Sequence, residues 1–328
     1  MSSKPANKPT SKATRELGLA PGKHKAKEGS VEEAESVFNE FIKYSGKAPT
    51  SRYGKKTTGK KKKIVLINDL HVPYHDEEAL AKVISQEAET TDLLIIGGDL
   101  LDLLSVSRYD KFDVHHSLQY EFTQGKAVIN TLASYFRKIK IIPGNHDERW
   151  RKHLLLKRGI DPFELEAMNT LAKFSNHDEE FDISDPIYCL TRDLPNVELV
   201  RPVVKDYAKF GFFMQEGKAL ISHAEIFSRT PGHAGSVALK WLQSYAIPAG
   251  LVSPFTAVFQ AHTHQAGMFY GDYGIWVFEC GCLSKTPDYA SNPKLMGAQR
   301  PSALGYTVIY QDEHGEIDFT QTRFVPID

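Results

Sequence analysis

At 328 residues, with 41% hydrophobic and 25% charged side chains, the chain has the composition of a soluble globular protein and the length for one large folded body with an added tail. Three cysteines, Cys189, Cys280 and Cys282, exclude a disulfide framework, and the lack of any apolar window near 18 residues excludes a membrane-spanning helix. The formal charge of −1 hides an asymmetry: 16 of the 40 Lys and Arg but only 6 of the 41 Asp and Glu lie in residues 1–63, so a basic arm of +10 precedes a body of −11.

Residues 1–29 are rich in Lys, Pro, Ser and Gly and read as a disordered arm. The opening MSSKPANKPTSK lacks the apolar core of a secretory signal, so a reducing, cytoplasmic location is expected. In SVEEAESVFNEFIKYSG, Ser30 and Glu33 form a capping box, and Val31, Ala34, Phe38, Phe41 and Ile42 fall at helical spacing, which predicts one short helix. The linker KAPTSRYGKKTTGKKKK follows, either a solvated tether or an electrostatic contact to nucleic acid. The expected division is a basic arm over 1–63 and a catalytic domain over 64–328, with removal of residues 1–60 leaving the body folded.

From Ile64 the pattern changes. IVLIND, LLIIGGD and KIKIIPGN are short apolar runs closed by Gly, Asp or Asn, separated by helical patterns near Glu77–Ala88 and Leu118–Phe136. This alternation predicts an α/β fold with βαβ crossovers and a largely parallel first sheet. Residues 148–180 read as helical and partly basic. Beyond them come strand patterns in VELVRPVVK, KFGFFMQ, KALISHAE, TAVFQAHTH, GIWVFECG, GYTVIYQ and EIDFTQT, with one helix near Ser236–Tyr245.

The polar residues that close these strands carry the chemistry. Asp69 and His71 follow the first run, Asp99 the second, Asn145 and His146 the third; His223 closes KALIS, and His262 and His264 close TAVFQA. Five of the 13 histidines therefore sit at strand ends, where parallel sheets gather functional groups. Carboxylates and imidazoles suit Mn²⁺, Fe and Zn²⁺. Eight such groups exceed a four-ligand structural site and suit two cations about 3.5–4 Å apart, an arrangement that clamps a phosphoryl group.

Asp69-x-His71, Gly98-Asp99, Gly144-Asn145-His146-Asp147, His223 and His262-x-His264 resemble the motifs of the calcineurin-like metallophosphoesterases, over roughly residues 64–285. The resemblance implies a four-layer αββα sandwich of two mixed β-sheets flanked by helices, with two divalent metal ions, Mn²⁺ first among them, at one edge. It implies that Asp69, His71 and His264 hold one metal, that Asn145, His223 and His262 hold the other, and that Asp99 bridges. His146 would be the catalytic histidine facing the leaving group, and Asp102, in GGDLLD, would orient it. A metal-bridging hydroxide would attack phosphorus in line. The usual closing motif begins with Gly, whereas Ala261 stands here. The serine/threonine phosphatase branch reads GNHE with an arginine after its second motif. GNHD and GGDLLDLLS depart from it, so a phosphodiester substrate, in a nucleotide or nucleic acid, is expected. The alternatives are a phosphomonoesterase and a non-catalytic metal-binding module.

Weaker signals remain. Arg149 and Arg151 could contact substrate phosphate. Asp147 could cap the next helix. His75, His115 and His116 could line the pocket. TPGHAGS at 230–236 could open an anion-binding helix, although a plain turn is favoured. Cys280-x-Cys282 reads as core packing.

Overall fold

The computed structural model describes residues 29–44, 61–107, 116–156, 159–174, 182–201, 209–228, 230–285 and 302–328. The arm over 1–28, most of the lysine-rich linker, His115 and the VVK part of the fourth strand pattern lie outside the described residues.

The apolar runs read from the sequence form the inner strands of a six-stranded sheet. Strands β1 (Lys62–Ile67), β2 (Leu93–Gly97), β3 (Ile139–Ile142) and β4 (Val197–Leu199) are parallel neighbours. β1 also pairs antiparallel with a later strand, Gly305–Gln311, which in turn pairs antiparallel with Arg323–Pro326. Strands β5 (Phe213–Glu216), β6 (Ala219–Ser222), β7 (Ala257–Gln260), β8 (Ala266–Tyr270) and β9 (Trp276–Cys280) form a second sheet in the order β5-β6-β7-β9-β8, and the two closing strands of the first sheet are β10 and β11. In the second sheet β6, β7 and β9 run parallel, while β5 and β8 pair antiparallel at its edges. Both sheets are mixed.

Side chains alternate across each strand, and the alternation sorts them into layers. Ile64 and Leu66 of β1 join Leu93, Ile95, Ile142, Ile221, Phe259 and Phe278 in a core between the sheets. Val65 and Ile67 point the other way, into a larger core with Leu94, Ile96 and the helices. Those helices are α1 (Val31–Tyr44), α2 (Glu77–Glu87), α3 (Leu118–Tyr135), α4 (Arg149–Leu156), α5 (Pro162–Phe174) and α6 (Pro186–Thr191). Helix α7 (His233–Trp241), which continues through a π-helical turn at Leu242–Ala246, covers the outer face of the second sheet. The result is the expected four-layer αββα sandwich.

Three differences from the sequence reading have local causes. The strand expected at EIDFTQT is a turn, because Asp318 accepts from the backbone and hydroxyl of Thr320 and its carbonyl accepts from Thr322; the closing strand begins at Arg323. Strand β8 was not anticipated, since Ala266, Met268 and Tyr270 are exposed at the sheet edge and blur the alternation. Helix α1 carries the expected capping box, with Glu33 N–H on Ser30 Oγ at 3.2 Å and Ser30 N–H on Glu33 Oε2 at 3.0 Å. It is not part of a free arm: Phe38, Phe41 and Ile42 are buried, and Asn130 of α3 donates to Glu35 at 2.6 Å.

Candidate metal centre

Because β1, β2 and β3 are parallel, their carboxyl ends open on one edge, and β6 and β7 end there too. The loops after β1 and β2 are laced together by Asp69 N–H to Gly98 O (3.1 Å) and His71 N–H to Asp99 O (2.9 Å). The second sheet is tied in by His262 N–H to Asp69 Oδ2 at 3.0 Å. Among the described residues, seven non-glycine residues have positive φ, and five of them are Asp69, His71, Asp99, His262 and His264. The left-handed backbone costs about 1–2 kcal/mol at such a residue, and it turns each of these side chains back across the edge.

Two glycines of the motifs are dictated by space. A Cβ on Gly144 would lie 2.1 Å from Asp99 Oδ1 and 2.5 Å from Asp99 N, and one on Gly98, at φ +103°, would lie 2.3 Å from His223 Nδ1. Each turn passes against a ligand candidate from a different strand.

The candidate ligand atoms converge in two sets, beside a third group of His71, Asp102 and His146 that shares His71. Asp69, His71 and His264 form one, and Asp99, His223 and His262 the other, with the atoms of each set within 4.8 Å of one another. His71 Nε2 and His264 Nε2 face each other at 3.2 Å, and Asp69 Oδ1 lies 3.5 Å from His264 Nε2. Asp99 Oδ2 stands between the sets, 3.1 Å from His223 Nε2 and 3.8 Å from His71 Nε2. Asn145 Oδ1 is 3.2 Å from His223 Nε2.

The tautomers make this arrangement informative. His223 Nδ1 donates to Gly97 O at 2.9 Å, so its Nε2 would be a bare lone pair on a neutral ring, yet it faces two oxygens. Only a positive charge makes that contact favourable. Burial opposes charging His223, but Asp99 and Asp69 outweigh it, and the imidazole is pushed up to about 9. His264 is raised well above its usual range in the same way, burial being outweighed by Asp69. Burial, with help from charged His223, drives His262 down to about 3, and its Nε2 is buried without a hydrogen bond. Asp69 Oδ1 is likewise buried without one, its contact being the long ion pair to His264 Nε2 at 3.5 Å. Buried polar atoms are normally paired, so two such atoms at one edge, beside an oxygen-facing imidazole, fit a site for divalent cations.

Asp102 is buried at the rim. Its Oδ1 lies 3.0 Å from both His71 Nδ1 and His146 Nδ1, and its carbonyl takes a second contact from His146 Nδ1 at 3.0 Å. Burial is overcome by these two histidines, so its carboxyl is held well below the usual range. The expected pairing of Asp102 with His146 is present, and Asp102 also aligns His71, which frees His71 Nε2 for a cation.

A family model described as calcineurin-like phosphoesterase matches residues 62–266. The chain belongs to this family. The calcineurin-like phosphoesterases are phosphoester hydrolases, and the convergent carboxylates and imidazoles are this member's candidate metal ligands. Its structure is similar to that of a metallophosphoesterase from Sphaerobacter thermophilus, at 14% identity over 81% of this chain and 88% of that one with a TM-score of 0.36. It is also similar to a predicted phosphoesterase from Streptococcus pneumoniae (11% identity, 81% and 98% covered, TM-score 0.30) and to Vacuolar Protein Sorting 29 from Cryptosporidium parvum (11%, 82% and 98%, TM-score 0.37). A search of curated proteins finds no match. Among the described residues, no helix is long and apolar enough to cross a membrane.

The weaker candidates of this phosphoesterase take other places. Arg149 opens α4 and donates through Nη2 to His146 Nε2 and through Nη1 to Asp102 O, both at 2.7 Å. Asp147 caps no helix: it accepts from Leu101 N (2.9 Å), Leu100 N (3.3 Å) and Gly144 N (2.8 Å), joining the loops after β2 and β3. His75 is buried edge-on to Phe38, and His116 stacks on Tyr120. TPGHAGS opens α7 on the outer face of the second sheet. Cys280 packs between the sheets, while Cys282 is buried beside His264 with its thiol donating to Ser284 O. The sequence reading missed Glu121, a buried carboxylate of α3 that accepts from Leu103 N at 2.7 Å and steadies the Asp102 loop. An acid between Leu118 and Phe122 on the apolar face of α3 was the available signal.

Proposed function

We propose that the protein is a two-cation phosphodiesterase acting on a nucleotide or nucleic acid. The reading rests on one observation above all: His223 Nε2 faces Asn145 Oδ1 and Asp99 Oδ2 while Asp99 Oδ2 also approaches His71, so two ligand sets share one carboxylate. Asp69, His71 and His264 would hold one cation and Asn145, His223 and His262 the other, with Asp99 common to both. When bound, such a pair supplies Lewis-acid charge to the phosphoryl oxygens and lowers the pKa of a water. Mn²⁺, Fe and Zn²⁺ all suit this nitrogen and oxygen set, and Mn²⁺ is the one we propose.

The chain's own residues do the rest. Asp102 holds the Nδ1 proton of His146 and so fixes the ring with Nε2 toward the open edge. In this geometry Nε2 accepts from Arg149, and burial disfavours charging the ring, so Nε2 would pass a proton to the departing oxygen only from the charged form, once the Arg149 guanidinium has moved onto a phosphate oxygen. Arg149 places its guanidinium on that same nitrogen, where the fork is within reach of a phosphate oxygen. Residues 64–328 would form the catalytic domain of a cytoplasmic enzyme, and the lysine-rich arm would add non-specific attraction to a polyanionic substrate.

The test is hydrolysis of bis-p-nitrophenyl phosphate against p-nitrophenyl phosphate by metal-stripped protein, with Mn²⁺ added back. Metal-dependent cleavage of the diester is expected. Preference for the monoester would replace the reading with a phosphomonoesterase, and no turnover of either with cations bound would favour a binding module.

A further inference from the structure

A cavity of about 430 Å³ opens beside α6, lined by Asp182, Tyr188, Arg192, Val197, Leu199 and Arg201. Its volume is in the range of sites for small organic ligands, about 300–1,000 Å³. The Tyr188 ring carries two guanidinium groups, Arg201 at 5.0 Å and Arg192 at 5.6 Å from its centroid. Val197 and Leu199 come from β4, the edge strand of the first sheet, and add an apolar wall. Asp182 supplies a carboxylate at the same cavity, its Oδ1 already accepting from Ser184 N at 3.0 Å and Ser184 Oγ at 2.6 Å. Asp185 pairs with Arg201 at 3.4 Å but is also the cap of α6, accepting from Tyr188 N at 3.0 Å. The Arg201 side chain keeps 56% of its surface exposed.

This combination selects a particular chemistry. Guanidinium forks take phosphate oxygens, guanidinium planes and phenol rings stack on flat heterocycles, and a carboxylate accepts from ring N–H or amino groups. A ligand that offers all three is a nucleotide. One side of the cavity, at Arg201, lies at the sheet edge that carries the candidate metal ligands. β4 is parallel to β3, and Val200 N donates to Ile141 O at 2.8 Å, so Arg201 emerges on the same edge as Asn145 and His146. Trp150 Nε1 donates to Ile183 O at 3.0 Å, which fastens the segment bearing Asp182 to α4, one residue from Arg149.

We infer that the Tyr188–Arg192–Arg201 cavity is a nucleotide-binding subsite that receives a unit of the substrate strand away from the scissile phosphate. Its link to turnover rests on the phosphodiesterase reading; the binding itself does not. The same chemistry would take a free mononucleotide, and the experiment separates the two.

Binding of a fluorescent phosphorothioate decanucleotide, and of AMP, is measured on the full chain loaded with Mn²⁺. The double variant Arg192→Ala/Arg201→Ala is expected to weaken decanucleotide binding about tenfold and to reduce the slope of log affinity against log salt by about 1–2. Turnover of bis-p-nitrophenyl phosphate should stay within about twofold, since neither arginine touches the metal centre. Arg201→Glu, at an exposed side chain, gives the same reading if the double variant folds poorly. AMP binding that depends on these arginines, with decanucleotide binding unchanged, assigns the cavity to a free nucleotide. If neither ligand responds to either variant, the inference is overturned. Arginine-dependent nucleotide binding in a protein that hydrolyses no diester would leave the subsite standing and remove the phosphodiesterase reading instead.

Discussion

Replacing Asp147 by Ala tests whether one carboxylate holds together two loops that carry candidate metal ligands. Asp147 accepts from three backbone N–H groups, Leu100 and Leu101 after β2 and Gly144 after β3. Truncation leaves three buried donors, each costing about 1–3 kcal/mol, or about 3–9 kcal/mol together. Part of this is returned, because burial and the nearby Asp99 charge already push Asp147 up to about 7. A net loss of about 3–5 kcal/mol is expected, read from urea denaturation midpoints at constant slope. The pH dependence has a definite sign. A folded value near 7, above about 3.9 for the unfolded chain, means that this side chain contributes most below pH 4 and progressively less as pH rises through 7. The variant's penalty should therefore be smaller at pH 8 than at pH 5.5. A loss under about 1 kcal/mol, or a penalty that grows with pH, would refute the reasoning.

Other outcomes follow from the same geometry. His146→Ala should keep its cations, measured by elemental analysis, yet lose about 10²–10⁴-fold in turnover, as expected for a proton-transfer group. Removing residues 1–28 should leave the melting temperature unchanged, whereas Ile42→Ala, at a fully buried site of α1, should cost about 2–5 kcal/mol by chemical denaturation. Binding of Mn²⁺ near pH 7.5 should release at least about one proton, since a cation on His223 Nε2 displaces the proton held there by a value near 9. Affinity should therefore rise with pH up to about 9, and calorimetry in two buffers of different ionisation heat measures the proton count directly.

The candidate ligands were legible because the sequence marks them twice, once by an apolar run that ends and once by a polar residue of ligand type just after it. IVLIND, LLIIGGD and KIKIIPGN each show this, and the parallel order of β1, β2 and β3 then brings the marked residues together. Asp102 was singled out only through the family resemblance, which places an aspartate shortly after Gly98-Asp99. What stayed hidden depends on contacts between segments far apart in the chain. Asp147 reads as a cap in one dimension, and only the approach of the Leu100–Leu101 backbone shows it to be a clasp. Arg149 reads as a free cation until α4 starts beside His146. The docking of α1 was hidden by its basic surroundings, although Phe38, Phe41 and Ile42 already traced an apolar stripe.

The left-handed backbone at Asp69, His71, Asp99, His262 and His264 sets a limit on how this protein can evolve or be engineered. Glycine is the residue that relieves such a conformation, so substitution at the histidines would remove about 1–2 kcal/mol of backbone strain from the loops. Each such gain would delete a candidate metal ligand. Selection for thermal robustness alone, with no demand for hydrolysis, would therefore be drawn toward the very substitutions that empty the centre. A lineage that gave up catalysis should bear that trace, with glycines appearing where the histidines now stand and the sandwich beneath them intact.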